Sequence, residues 1–234
     1  MKINKVFCLF EQSGHFKKAF QELGIPAEDY DILNDFGETD HITDIFAEIE
    51  KAYQSEPSLF DEIGENDLVM AFFPCTRFED QILLGFRGDM FQQKNYTEIE
   101  KIEYARQLHE ELARMYDLIC KMFVVALRGG WKMIVENPYT QQHYLVRYFP
   151  IKSKIIDRDR TQNGDYYKKP TQYFFINCEP EMNIIFEPLE WVEKKKIEMA
   201  KKNDGIDRKV LRSMIHPQYC RRFIKQYLLD RGQT

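Results

Sequence analysis

The chain has 234 residues, 44% of them hydrophobic and 30% charged, with 11 Gly and 9 Pro, a composition that excludes disordered and collagen-like chains. No stretch approaches the roughly 18 apolar residues of a membrane helix, and Met1–Lys5 leads straight into Val6–Phe10, too short an apolar run for a signal peptide. The formal charge of −5 hides a gradient: residues 1–100 carry 8 Lys/Arg against 21 Asp/Glu, residues 101–234 carry 25 against 17, so the C-terminal part is the one expected to meet a polyanion.

In chain order, Val6–Phe10 reads as a short buried strand, followed by a turn at Gly14. Phe16, Ala19, Phe20 and Leu23 have the spacing of an amphipathic helix, stopped by Gly24 and Pro26. A second strand ends near Tyr30–Ile32, and residues 46–54 form a helix broken before Pro57. Asp67–Phe73 is a fully buried strand ended by Pro74 and Cys75. Residues 98–129 predict a long helix with Ile102, Leu108, Leu112, Met115, Ile119 and Phe123 on its core side. Gly129 and Gly130 close it, and Lys132–Val135 is a further buried strand running into Glu136-Asn137-Pro138. Strands alternating with helices predict an α/β layer fold with a mostly parallel sheet. Ligands in such sheets sit at the carboxyl ends of the strands, which makes Glu11–Gly14, Asp31, Asp44, Pro74-Cys75 and Glu136-Asn137 candidates for one shared site.

Five cysteines without a C-x-x-C pair predict reduced thiols in a cytoplasmic protein rather than a disulfide framework or a zinc cluster, so no metal is expected. Lys152, Lys154, Arg158, Arg160, Lys168 and Lys169, interleaved with Tyr166, Tyr167 and Tyr173, make a mixture suited to phosphate and base contacts. Cys75 and Glu136 both follow or end buried strands, and a thiol and a carboxyl opening onto one cleft form a pair suited to covalent catalysis.

These residues resemble the cytosine-5 DNA methyltransferases. Ala71–Phe78 (AFFPCTRF) resembles that family's catalytic Pro-Pro-Cys-x-x-Phe segment, and Val135–Pro138 resembles its Glu-Asn-Val element in the Glu-Asn-Pro form of smaller phage-like members. Leu9–Phe16 (LFEQSGHF) is similar to the first cofactor loop, and Asp31-Ile32 and Asp44-Ile45 to the two acidic strand ends that follow it. Gln162–Asn177 is similar to a glutamine-basic-strand element supporting the active-site loop, and Ser213–Pro217 to a terminal segment that folds back on the first loop. The six elements keep the family's order over residues 6–229.

The resemblance implies a Rossmann-like, S-adenosylmethionine-dependent methyltransferase fold with a mostly parallel central sheet flanked by helices. It implies a catalytic core over 1–177, a short insertion over 178–211 in place of a target-recognition domain, and a C-terminal helix over 212–234 packed back on the core. It implies S-adenosylmethionine contacts from Phe10, Gly14, Ile32, Ile45 and Pro74, with Asp31 on the ribose hydroxyls and Asp44 on the adenine amine; a turn or helix-cap carboxylate is the other reading of those two acids. Cys75 would add to cytosine C6 while Glu136 engages N3, with Arg158, Arg160 or Arg77 promoting thiolate formation. Arg77, Lys168 and Lys169 would contact DNA, from which the target base must be flipped.

The chain departs from the pattern at Gln12, which replaces a loop glycine, at Phe73, which replaces the first proline, and at Lys168 and Lys169, which stand for arginines. Only 34 residues, 178–211, fill the place of the recognition region. A low-specificity enzyme, recognition supplied by a partner protein, a catalytically silent binding or regulatory protein, and the same chemistry on a free pyrimidine nucleotide all stay open.

Overall fold

The computed structural model describes residues 1–195 and 213–230. Among these, strands β1 (Val6–Leu9), β2 (Ala27–Asp31), β3 (His41–Ile42), β4 (Leu68–Ala71), β5 (Lys132–Pro138), β6 (Ile155–Asp157) and β7 (Thr171–Ile176) form one sheet in the order β3-β2-β1-β4-β5-β7-β6. Pairing is parallel from β3 to β5, and β7 is antiparallel to both β5 and β6. This is the α/β, Rossmann-like arrangement expected, with a mostly parallel sheet between helices α1 (His15–Glu22), α2 (Ile45–Tyr53), α3 (Ile82–Arg87), α4 (Glu98–Gly129), α5 (Tyr144–Tyr148) and α6 (Pro217–Tyr227).

Because side chains alternate across a strand, the sheet feeds two separate cores. Phe7, Leu9, Val69, Ala71, Met133, Val135, Phe174 and Ile176 join α2 and α4 on one face. Val6, Cys8, Leu68, Met70, Ile134, Tyr173 and Phe175 join α1 and α6 on the other. Strands covered on both faces read as continuous apolar runs, which is why β1, β4 and β5 were visible in the sequence.

α4 starts at a capping box, in which Thr97 Oγ1 accepts from the Glu100 N–H at 3.3 Å and Glu100 Oε2 accepts from the Thr97 N–H at 2.7 Å. It ends at Gly130, whose φ of 70° suits glycine. Leu108, Leu112, Ile119 and Phe123 are buried as expected, but Ile102 is 68% exposed. The first turns of α4 run past the edge of the core, where Arg106 pairs with Glu103 and Glu110 instead.

The C-terminal segment returns to the first helix: the His15 ring Nδ1 bonds the Ile215 carbonyl oxygen at 2.5 Å, and Phe16 meets Phe223 edge-on at 5.9 Å. Within the stretch 178–195, residues 181–190 run along α6, held by the Asn183 N–H on the Gln226 carbonyl at 2.7 Å and by the Asn183 side chain on Lys225 and Leu229. The rest of the expected insertion, 196–211, and Arg212 at the head of the last segment lie outside the described residues, as do 231–234. The five cysteines are free, and no described helix is long and apolar enough to cross a membrane.

Candidate active site

The strand order reverses between β1 and β4, since the chain winds outward through β2 and β3 and then returns to the other side of β1. A crevice at the carboxyl ends of the strands follows from that reversal. A cleft of about 920 Å³ lies there, lined among others by Phe10, Glu11, Gln12, Asp31, Phe36, Pro74, Cys75, Arg77, Glu79, Glu136, His143, Lys168 and Lys169.

On the β1–β2 side the chain ties down its own polar groups. Phe10 ends β1 with a φ of 60°, uncommon for a side chain of its size, and its ring packs on Phe46 and Phe73 at 5.4 and 5.5 Å. Gly14, with a φ of 64°, precedes α1 but supplies no side-chain cap. Glu11 does that work: Oε1 accepts from the Phe16 N–H at 2.7 Å and Oε2 from the Lys17 N–H at 3.2 Å. Burial pushes the Glu11 carboxyl from its ordinary 4.5 up to about 7, against those two bonds. Gln12, where a glycine was expected, accepts from the Asp35 N–H at 3.1 Å and links the first loop to the one after β2. Asp31 accepts from the Leu33 N–H at 2.8 Å, and burial raises its carboxyl.

Pro74 lines the cleft, and the remaining expected cofactor residues lie outside it. Asp44 Oδ1 accepts from the Phe46 and Ala47 N–H groups at 3.1 and 3.3 Å, so it caps α2. Ile45 is buried in the core and Ile32 is 60% exposed; neither these three nor Gly14 is among the residues lining the cleft.

On the β4–β5 side the geometry is different. β4 stops pairing with β5 at Ala71 and Val135, so Glu136–Pro138 pair only with β7. Asn137 fills part of the gap by donating from Nδ2 to the Phe73 carbonyl at 2.8 Å, which ties the segment before Cys75 to β5. Glu136 shares the face of Ile134. It is buried, and its Oε1 has no hydrogen-bond partner. Behind it, the fully buried Arg160 places Nη1 3.7 Å from that oxygen and forms an ion pair with Asp165; its guanidinium lies over the Tyr219 ring at 4.9 Å. Asp165 also accepts from the His216 N–H at 2.8 Å, linking this pair to the C-terminal segment.

Cys75 is part-buried, and its Sγ donates to Glu79 Oε1 at 3.1 Å. Burial first, then the negative charge of Glu79 and of Glu136, push its thiol up to about 12; Lys169 acts in the opposite direction. The cation with the largest effect on Cys75 is therefore Lys169, not one of the three arginines expected to activate it. Arg77 lines the cleft paired with Glu111, Arg160 is turned to Glu136 and Asp165, and the exposed Arg158 lies over the Tyr139 ring at 5.6 Å. The charge on each is engaged locally.

Of the three expected stacking tyrosines, Tyr166 is half-buried, and Tyr167 and Tyr173 need correction. Tyr173 is fully buried in β7 and bonds the Tyr219 hydroxyl at 2.9 Å, and Tyr167 is also buried. β7 is an interior strand covered on both faces, so its aromatic ring is core. Of the expected basic cluster, Lys168 and Lys169 line the cleft, while Lys154 pairs with Glu179.

Glu79 and His143 are among the cleft residues that escaped the sequence reading. Glu79 stands four residues after Cys75, a spacing that was available to be read. His143 is buried, with both ring nitrogens unpartnered, and burial lowers it to about 4, so the ring is neutral near pH 7. Nothing local in the sequence marks it, since it reaches the cleft only through the turn after β5. Among the described residues, no group of three or more His, Cys, Asp or Glu is placed to hold a metal ion.

No family model matches the sequence, and no curated protein matches it. Among solved structures, the Entamoeba histolytica methyltransferase EhMeth is similar at 14% identity and a TM-score of 0.40, over 87% of this chain and 61% of that one. This chain thus spans less than two thirds of that neighbour, and at such a likeness the function rests on the chain's own residues.

Proposed function

We propose that the chain is a methyltransferase that uses S-adenosylmethionine to methylate C5 of a cytosine flipped out of DNA, with Cys75 as covalent nucleophile. The observation that carries this reading is the meeting of Cys75 and Glu136 in one cleft, with Glu136 Oε1 buried and without a hydrogen-bond partner among the described residues. An orphaned buried oxygen costs about 1–3 kcal/mol, and a pyrimidine N3 sharing a proton with Glu136 relieves that cost. Cytosine C5 is too weak a nucleophile by itself. Addition of the Cys75 sulfur to C6, with Glu136 at N3, moves electron density to C5.

The β1–β2 side fits the donor. Asp31 stands where nucleotide-binding α/β folds hold ribose hydroxyls, and Phe10, Phe36 and Pro74 supply an apolar wall. The first N–H groups of α1, which in such folds receive phosphate, are already taken by Glu11; this favours a ligand without phosphates. Asp31 and Glu79 line the cleft, a setting suited to a positively charged sulfonium. When bound, that donor supplies an activated methyl group. The capping bonds of Asp44 favour the helix-cap reading over an adenine contact. Lys168 and Lys169 are the phosphate contacts in this scheme, with further recognition left to a partner protein.

The test is incubation with S-adenosylmethionine and oligonucleotides containing 5-fluorocytosine, whose C5 carries no proton to lose. Wild type is expected to give a denaturation-resistant protein–DNA adduct by mass spectrometry, and Cys75→Ser none. Absence of an adduct from wild type across duplexes and single strands overturns the reading. The raised thiol and Gln12 favour one alternative, a silent binding protein, which donor binding by calorimetry without any adduct would establish.

A further inference from the structure

Cys75 and Glu79 face each other across a single turn. The Phe78 N–H closes that turn on the Cys75 carbonyl at 2.8 Å, and the four-residue spacing brings the Glu79 side chain back over the sulfur. Glu79 is the acceptor that the thiol proton already touches, at 3.1 Å. Other acids nearby are engaged differently: Asp80 is bonded to Thr140, and Glu136 lies against Arg160 on the β5 side. A thiol that burial keeps protonated is a poor nucleophile unless a base receives its proton as the new bond forms.

We infer that Glu79 is the catalytic base that takes the proton from Cys75 during covalent addition to the pyrimidine. This rests on the cytosine reading above and adds to it a residue at the reacting sulfur. In the addition, the Sγ–H bond breaks, its proton passes to Glu79 Oε1, and the sulfur pair forms the Sγ–C6 bond. The C5=C6 π pair moves to C5 and is delocalised toward N3 at Glu136. After methylation, the C5 proton leaves to water, its bonding pair re-forms C5=C6, and the Sγ–C6 pair returns to sulfur, which recovers its proton from Glu79. The carboxyl stores one proton between the two half-reactions and is unchanged at the end.

Two readouts with opposite expected signs test this in the full chain. Glu79→Gln removes the negative charge beside the thiol, so alkylation of Cys75 by iodoacetamide at pH 8–9 is expected to be faster than in wild type. The same variant is expected to form the 5-fluorocytosine adduct about 10²-fold more slowly or worse, the usual loss for a missing general base. Glu79→Asp, which keeps a carboxylate, should recover part of that rate, and chemical denaturation checks that each variant is folded. If Glu79 acts only by raising the thiol, both reactions accelerate in Glu79→Gln, and the inference is overturned. A wild type that gives adduct and a Glu79→Gln variant that matches it also overturn the inference alone. A wild type that gives no adduct on any oligonucleotide sinks the cytosine reading, and the role of Glu79 with it.

Discussion

Along the β1–β2 edge of the cleft, Glu11, Gln12 and Asp31 all accept backbone N–H bonds from the chain itself. Along the β4–β5 edge, Glu136 Oε1 and both nitrogens of His143 have no hydrogen-bond partner among the described residues, and the Cys75 thiol bonds Glu79. Both edges come from one sheet and face one crevice, so the difference lies in what each leaves open. The first edge is finished by local loops, and a ligand there meets a surface already shaped. The second holds buried groups whose hydrogen bonds the described residues leave open, the condition under which a site discriminates between substrates that supply those bonds and ones that lack them.

Three substitutions probe that contrast. The largest effect is expected at Arg160, whose removal leaves Asp165 and Glu136 buried without their cation. Arg160→Met should lose about 3–5 kcal/mol in chemical denaturation, as for other broken buried pairs; a loss under 1 kcal/mol would mean that the β5 side is not held from behind by this guanidinium. The next concerns Glu11 on the finished edge. Its folded carboxyl sits near 7 against an ordinary 4.5, so the folded state keeps a proton that the unfolded chain has released. Stability from this group is full below about 4.5 and falls as pH rises toward 7, by about 3 kcal/mol at most. Glu11→Gln should flatten that slope in denaturation curves measured between pH 4.5 and 7.5; an unchanged slope would show the carboxyl to be ordinary. The smallest is at Gly14, where φ is 64° and an added Cβ would lie 3.2 Å from Lys17 Cε. Gly14→Ala should cost about 1–2 kcal/mol in the same assay, and no measurable cost would mean that the first loop relaxes freely.

The sequence exposed what depends on strand ends. Phe10, Asp31, Cys75 and Glu136 could be gathered because apolar runs mark buried strands and topology brings their carboxyl ends together. It concealed what depends on neighbours across the sheet. Tyr173 reads as a stacking ring among lysines until β7 is seen inserted between β5 and β6. Ile102 fits the helical period but falls where α4 has no core beneath it. Arg160 looks like one more basic residue of a surface cluster, yet it is fully buried, and only the fold supplies Asp165 and Glu136 as its reasons. Asp44 was legible as either a ligand contact or a cap, and the start of α2 at the next residue favours the cap.

The pairing of α1 with α6 has a consequence for how the molecule assembles. His15 and Ile215 are separated by 200 positions yet share a hydrogen bond, and the core under α1 contains Tyr219, Phe223 and Ile224. During synthesis, β1 and α1 emerge early but keep an uncovered apolar flank until α6 has left the ribosome. Contacts so remote in sequence slow the search for the native state and prolong exposure of sticky intermediates. The nascent chain thus carries a greasy surface while the 200 positions that separate His15 from Ile215 are made, a vulnerability that chaperone capture would relieve.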